Sequence, residues 1–109
     1  MAIIQPLSTS ELTSKVLQAR GSVVLDFYQA TCAPCRALEP KLNRIAHEYV
    51  GRVAVYRVDV DQDMALAERF RVSSLPTVLI LKDGQEAERL DGLVTETQLR
   101  EAFERAARA

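Results

Sequence analysis

The sequence predicts an α/β domain: a central mixed β-sheet, parallel in its first part, flanked by helices on both faces. Three observations carry this. Val23–Tyr28 and Thr77–Leu81 are nearly continuous apolar runs, the pattern of strands buried on both faces. Stretches with apolar residues three and four apart alternate with them, which is helical spacing. Two signatures, Ser8-Thr9-Ser10-Glu11 and Thr95-Glu96-Thr97-Gln98, have the form of capping boxes that open helices. The chain has 109 residues, 48% hydrophobic and 27% charged. That is the size and mix of one globular domain, 1–109, able to bury a core without disulfide or metal staples.

The elements read β, α, β, α, β, α, β, β, α. Ser8 caps a helix with Leu12, Val16 and Leu17 on its apolar side, ending at Gly21. The central strand Val23–Tyr28 follows. A helix from about Cys32 to Tyr49 carries Leu38, Leu42, Ile45, Ala46 and Tyr49 on one stripe. Pro40 lies inside it and is expected to kink it. Gly51 ends it, and Val53–Val58 reads as a strand. Asp61 is expected to cap a short helix running through Phe70. After the buried strand Thr77–Leu81, Asp83-Gly84 is a hairpin turn signal. It leads to a more polar strand, Glu86–Leu90, expected at the sheet edge. Thr95 opens the last helix.

Composition excludes several functions. Net charge is −1 with no dominant basic face, so nucleic acid is not an expected partner. No apolar run approaches the 18 or more residues of a membrane span. Met1–Pro6 lacks the basic region and apolar stretch of a signal peptide, so the expected location is the cytoplasm. A monomer is expected. Asp59, Asp61 and Asp63 alternate as in a calcium loop, but Met64 and Phe70 stand where that loop needs glycine and glutamate.

There are two cysteines, in Cys32-Ala33-Pro34-Cys35. A structural zinc site wants four ligands, and the sole histidine, His47, lies twelve residues beyond Cys35. A CxxC opening a helix after a buried strand is instead a redox arrangement. Its two Cα atoms stand roughly 5–6 Å apart, within reach of a disulfide. Backbone N–H groups and the helix dipole converge on the first cysteine, lowering its pKa and favouring an attacking thiolate. The second cysteine lies deeper and can resolve a mixed disulfide. Pro34 is tolerated in the first turn, where N–H groups have no helical partner. Asp26 sits in a Val/Leu run, where a carboxylate is costly without a partner or a proton. It is either an outward-facing strand residue or a buried carboxyl able to serve as a base.

Asp26–Arg36, containing this CxxC, resembles the active-site segment of the thioredoxin family. Ser74-Leu75-Pro76-Thr77 is similar to that family's cis-proline segment and Asp91-Gly92 to its downstream glycine, so the resemblance covers essentially the whole chain. It departs at Thr31, where the family usually has tryptophan, and at Ala33, where it has glycine. The resemblance implies the thioredoxin fold and a protein-disulfide reductase with Cys32 as nucleophile and Cys35 as resolving thiol. It implies that Asp26 lies beneath Cys35 and assists its proton transfer, and that Leu75–Pro76 is cis. Arg57 falls where the family has a lysine near that aspartate. As an arginine it stays charged and cannot relay a proton; the alternative is that it points to solvent. The implied docking surface is Thr31, Ala33, Pro34, Val60, Val72, Leu75, Pro76 and Gly92, although Val60 and Val72 also fit plain core. Disulfide-containing proteins are the implied substrates and a flavoprotein thioredoxin reductase the implied electron donor. With no nucleotide motif, the only cofactor-like element is the Cys32–Cys35 disulfide. Two other readings remain: an oxidase or isomerase, which usually carries a histidine inside the CxxC, and a redox-gated binding module.

Overall fold

The computed structural model describes residues 3–108; Met1 and Ala2 of the N-terminal reading, and Ala109, lie outside the described residues. Five strands form one mixed sheet: β1 (Gln5–Pro6), β2 (Ser22–Tyr28), β3 (Val53–Asp59), β4 (Thr77–Lys82) and β5 (Gln85–Asp91). Their spatial order is β1-β3-β2-β4-β5. The β1–β3 and β3–β2 pairs are parallel, and β2–β4 and β4–β5 are antiparallel. The predicted fold class holds. β2 is central, as its apolar run requires. β5 lies at the edge, mostly exposed and charged, with a register irregularity opposite Ile80/Leu81.

Alternation along the strands builds two cores, one on each face. On one face Val24, Val53, Val55, Val78 and Ile80 pack against α1 (Ala33–Glu48) and α3 (Glu96–Ala107), with Leu42, Ile45, Leu99 and Phe103 at the centre. On the other, Val23, Leu25, Phe27, Val58, Leu79 and Leu81 meet Leu12, Val16 and α2 (Met64–Arg69). Two buried hydroxyls are satisfied: Ser22 donates to the Ala106 carbonyl at 2.6 Å, and Thr77 to the Ser74 carbonyl at 2.7 Å. The second capping box forms fully. Gln98 N–H donates to Thr95 Oγ1 at 3.0 Å and Thr95 N–H to Gln98 Oε1 at 2.9 Å.

Three local expectations are corrected. The helix expected after Ser8 is a 3₁₀ turn, Thr9–Glu11, followed by a π turn, Thr13–Leu17. Glu11 does reach back to Ser8 N–H, at 3.0 Å. Leu12 and Val16, one turn apart, are nevertheless both buried, as the expected apolar side requires. Asp61 does not cap α2. Its N–H is taken by Asp59 Oδ1 at 3.0 Å, which keeps 59–62 in a turn, and the helix starts at Met64 with Asp63 at the N-cap. Asp63 accepts from Thr9 N–H and Oγ1, both at 3.0 Å, pinning the N-terminal segment instead. β3 and β5 each run slightly further than expected, to Asp59 and to Gln85–Asp91. α1 is one helix with Pro40 inside it, on its exposed side.

The hairpin turn behaves as its residues dictate. Asp83 and Gly84 both have positive φ, 50° and 82°. Gly84 is also pressed against the chain: a Cβ there would lie 2.3 Å from the Leu17 carbonyl oxygen.

Candidate active site

The carboxyl ends of the parallel strands β2 and β3, the start of β4 and the end of β5 meet at one end of the sheet. α1 begins there. Cys32 is its N-cap, in extended conformation, and Pro34 lies in the first turn. Cys32 and Cys35 form a disulfide with Cα atoms 5.2 Å apart. Cys35 N–H donates to Cys32 Sγ at 3.2 Å. That sulfur therefore sits where the helix dipole and a backbone donor favour negative charge. Cys32 is half-buried, whereas Cys35 is only 5% exposed. The difference follows from helical position. Cys35 heads the buried stripe Leu38, Leu42 and Ile45, while Ala33 and Pro34 face solvent.

Asp26 lies on β2 with the parity of Val24, so it faces the α1 side. It is 2% exposed. The outward-facing alternative is excluded. Burial pushes its carboxyl up to about 7; the charge of Arg57 opposes this and that of Glu39 adds to it. Arg57 is in register with Asp26 on the adjacent strand and points the same way. Its Nε stands 4.0 Å from Asp26 Oδ2, its Nη1 3.3 Å from Glu39 Oε1, and its guanidinium 4.2 Å from the centre of the Tyr28 ring. Arg57 is thus not simply a solvent-facing residue. Asp26 Oδ1 and Arg57 Nε have no hydrogen-bond partner. A groove of about 240 Å³ beside Cys35 is lined by Tyr28, Gln29, Ala30, Arg36, Glu39 and Arg57.

The residues expected to dock partners surround this end. Thr31, Ala33 and Pro34 are exposed around Cys32. The Leu75–Pro76 peptide is cis. Pro76 is buried, so that loop offers solvent the half-buried Leu75. Gly92, at φ 75°, donates its N–H to the Pro76 carbonyl at 2.8 Å, joining the end of β5 to the proline loop. Val60, Val72 and Leu75 have two structural settings. They pack against the second core, and they line an open groove of about 320 Å³ with Gln29, Met64 and Ala67.

Three neighbours escaped the sequence reading. Gln29 donates to Asp61 Oδ1 at 2.9 Å and so ties the loop before Cys32 to the loop after β3. Tyr28 and Glu39 hold Arg57. One signal was available: Glu39 is one helical turn past Cys35, on the same side of α1.

Fold and paired cysteines together define a CxxC disulfide domain, with the pair in the position of a redox-active disulfide. Comparison with known proteins makes this specific. The family model described as Thioredoxin matches residues 3–105. Thioredoxin 1 of Nostoc sp. and thioredoxin of Staphylococcus aureus are each 30% identical over 105 residues, covering 96% of this chain and 98% of theirs. Thioredoxin M-type, chloroplastic, of Spinacia oleracea is 31% identical over 102 residues, covering 94% of this chain and 56% of its own. The chain belongs to the thioredoxin family. It spans about half the length of the chloroplastic relatives it matches and nearly all of the two bacterial ones. Among the described residues, no helix is long and apolar enough to cross a membrane.

Proposed function

We propose that the chain is a protein-disulfide reductase acting as one domain over residues 1–109. The observation that carries this is the asymmetry of the pair: Cys32 accessible at a helix N-terminus, Cys35 recessed beneath it. In the reduced protein the Cys32 thiolate attacks one sulfur of a substrate disulfide. The substrate S–S bond breaks, a mixed disulfide forms, and the departing thiolate takes a proton from water. Cys35 then gives its proton to the Asp26 carboxylate, and its sulfur attacks Cys32 Sγ. The mixed disulfide breaks, the second substrate thiolate leaves, and Cys32–Cys35 is oxidised. Two electrons have passed to the substrate.

Asp26 suits this step because a carboxyl titrating near 7 can accept a proton and release it at neutral pH. Arg57 tunes it electrostatically rather than relaying protons. The exposed Thr31, Ala33 and Pro34, with Val60, Val72, Leu75, Pro76 and Gly92, form the docking surface. Extended protein segments lie there, recognised partly through the backbone before Pro76. The protein works as a cytoplasmic monomer with no cofactor beyond its own disulfide. A flavoprotein thioredoxin reductase returns the electrons.

The test is a protein-disulfide reduction assay with two variants. Cys32→Ser abolishes reduction. Cys35→Ser accumulates a mixed disulfide visible on a non-reducing gel. Normal turnover by Cys35→Ser would overturn the role assignment. A strongly oxidising potential for the pair would point to the oxidase reading instead.

A further inference from the structure

The Arg57 guanidinium is contested by two carboxylates. It stands 3.3 Å from Glu39 on one side and 4.0 Å from Asp26 on the other, over the Tyr28 ring. The nearer contact goes to Glu39, whose side chain is 40% exposed, rather than to Asp26, whose side chain is 3% exposed. A buried carboxylate next to a guanidinium normally closes to hydrogen-bond distance, because an uncompensated buried charge is costly. Here it does not: Arg57 Nε and Asp26 Oδ1 are both buried and both lack hydrogen-bond partners. Something holds the guanidinium back. Tyr28 restrains it through its ring face, but the only charge pulling it away from Asp26 among the lining residues is that of Glu39.

We propose that Glu39 is a positioning residue: it anchors Arg57 at the mouth of the groove beside Cys35 and keeps the guanidinium from closing onto Asp26. The charges acting on Asp26 are those of Arg57 and Glu39, and the groups around it and the adjoining groove come from four elements. β3 brings Arg57, and β2 itself adds Tyr28. α1 brings Cys35, Arg36 and Glu39 along the groove, and β4 brings the uncharged Val78 in register with Asp26. If Glu39 loses its charge, Arg57 turns to its remaining carboxylate, and a hydrogen-bonded Asp26 would hold its negative charge and give up its role as a proton acceptor that cycles near neutrality. The same salt contact holds Arg57 in the wall of the groove beside Cys35.

This inference deepens the proposed role of Asp26, yet its test needs no turnover. The Asp26 titration is followed by carboxyl-carbon NMR on the oxidised protein. The variants are Glu39→Gln, Arg57→Gln and the double variant. Glu39→Gln is expected to lower the Asp26 midpoint by about one pH unit. The same substitution made on top of Arg57→Gln is expected to shift it by less than half as much. An unchanged midpoint in Glu39→Gln would overturn the proposal. An equal shift in both backgrounds would overturn it too, because Glu39 would then act through its own charge and not through Arg57. Failure of the reductase assay would leave this titration readable, so the two ideas fall separately. Glu39 is half-exposed on a long helix, and the neutral isostere is expected to fold normally.

Discussion

Replacing Asp26 with asparagine removes a charge that the fold tolerates poorly. The carboxyl is raised from 3.8 to about 7, chiefly by burial. Between those values the folded protein keeps a proton that the unfolded chain has released. Stability must therefore fall as pH rises through this window, at up to about 1.4 kcal/mol per pH unit. The contribution is fully present below about pH 4 and lost above about pH 7. Over the whole window the loss comes to about 4 kcal/mol. The asparagine variant has no such dependence, but its amide is buried where Asp26 Oδ1 already lacks a partner, at a cost of about 1–3 kcal/mol. The net expectation at pH 8 is an Asp26→Asn protein more stable by about 1–3 kcal/mol. That is a urea midpoint higher by roughly 1–2 M. At pH 4 the advantage disappears. The assay is urea denaturation of both oxidised proteins from pH 4 to 8, and the difference between the two curves isolates Asp26. Parallel curves across that range would refute the reasoning, whatever the absolute stabilities.

Other outcomes are equally specific. In the reduced protein, Cys32 should ionise below the roughly 8.5 of a free thiol, and Asp26→Asn should lower it further while slowing reduction at neutral pH; thiolate absorbance against pH checks the first two and the reduction assay the third. Gly84→Ala forces a Cβ against the Leu17 carbonyl at positive φ and should cost at least about 2 kcal/mol in urea denaturation. Gly51→Ala, at φ +86 but with open space around it, should cost only about 1 kcal/mol. Thr95→Ala removes one arm of the α3 capping box and should lower stability by about 1 kcal/mol.

The architecture was legible because each strand's apolar pattern states how many of its faces are buried. Val23–Tyr28 could only be central and Glu86–Leu90 only peripheral. The cysteine pair was legible because its chemistry is local to one helical turn. What escaped depends on contacts between distant segments. Asp61 and Asp63 are equally good caps by residue type, yet neither carboxyl caps α2, because Gln29 and Thr9, from other parts of the chain, engage them. Arg57 could be placed near Asp26 by resemblance, but strand register is what aligns them, and Glu39's hold on it needs a helix packed over two strands. The π turn at Thr13–Leu17 leaves no signature in local propensity.

The sheet's two borders have a consequence of their own. An open sheet edge invites strand addition by another chain, and with it aggregation. Here one border is a strand of only two residues, the second of them Pro6, which has no N–H to offer a ladder. The other carries Glu86, Glu88 and Arg89 along its length and breaks register midway. Neither gives an incoming strand a flat, apolar run to pair with. On the proposed function, backbone pairing with a partner would then be left to the proline loop beside the disulfide, where it ends in thiol chemistry rather than in a growing sheet.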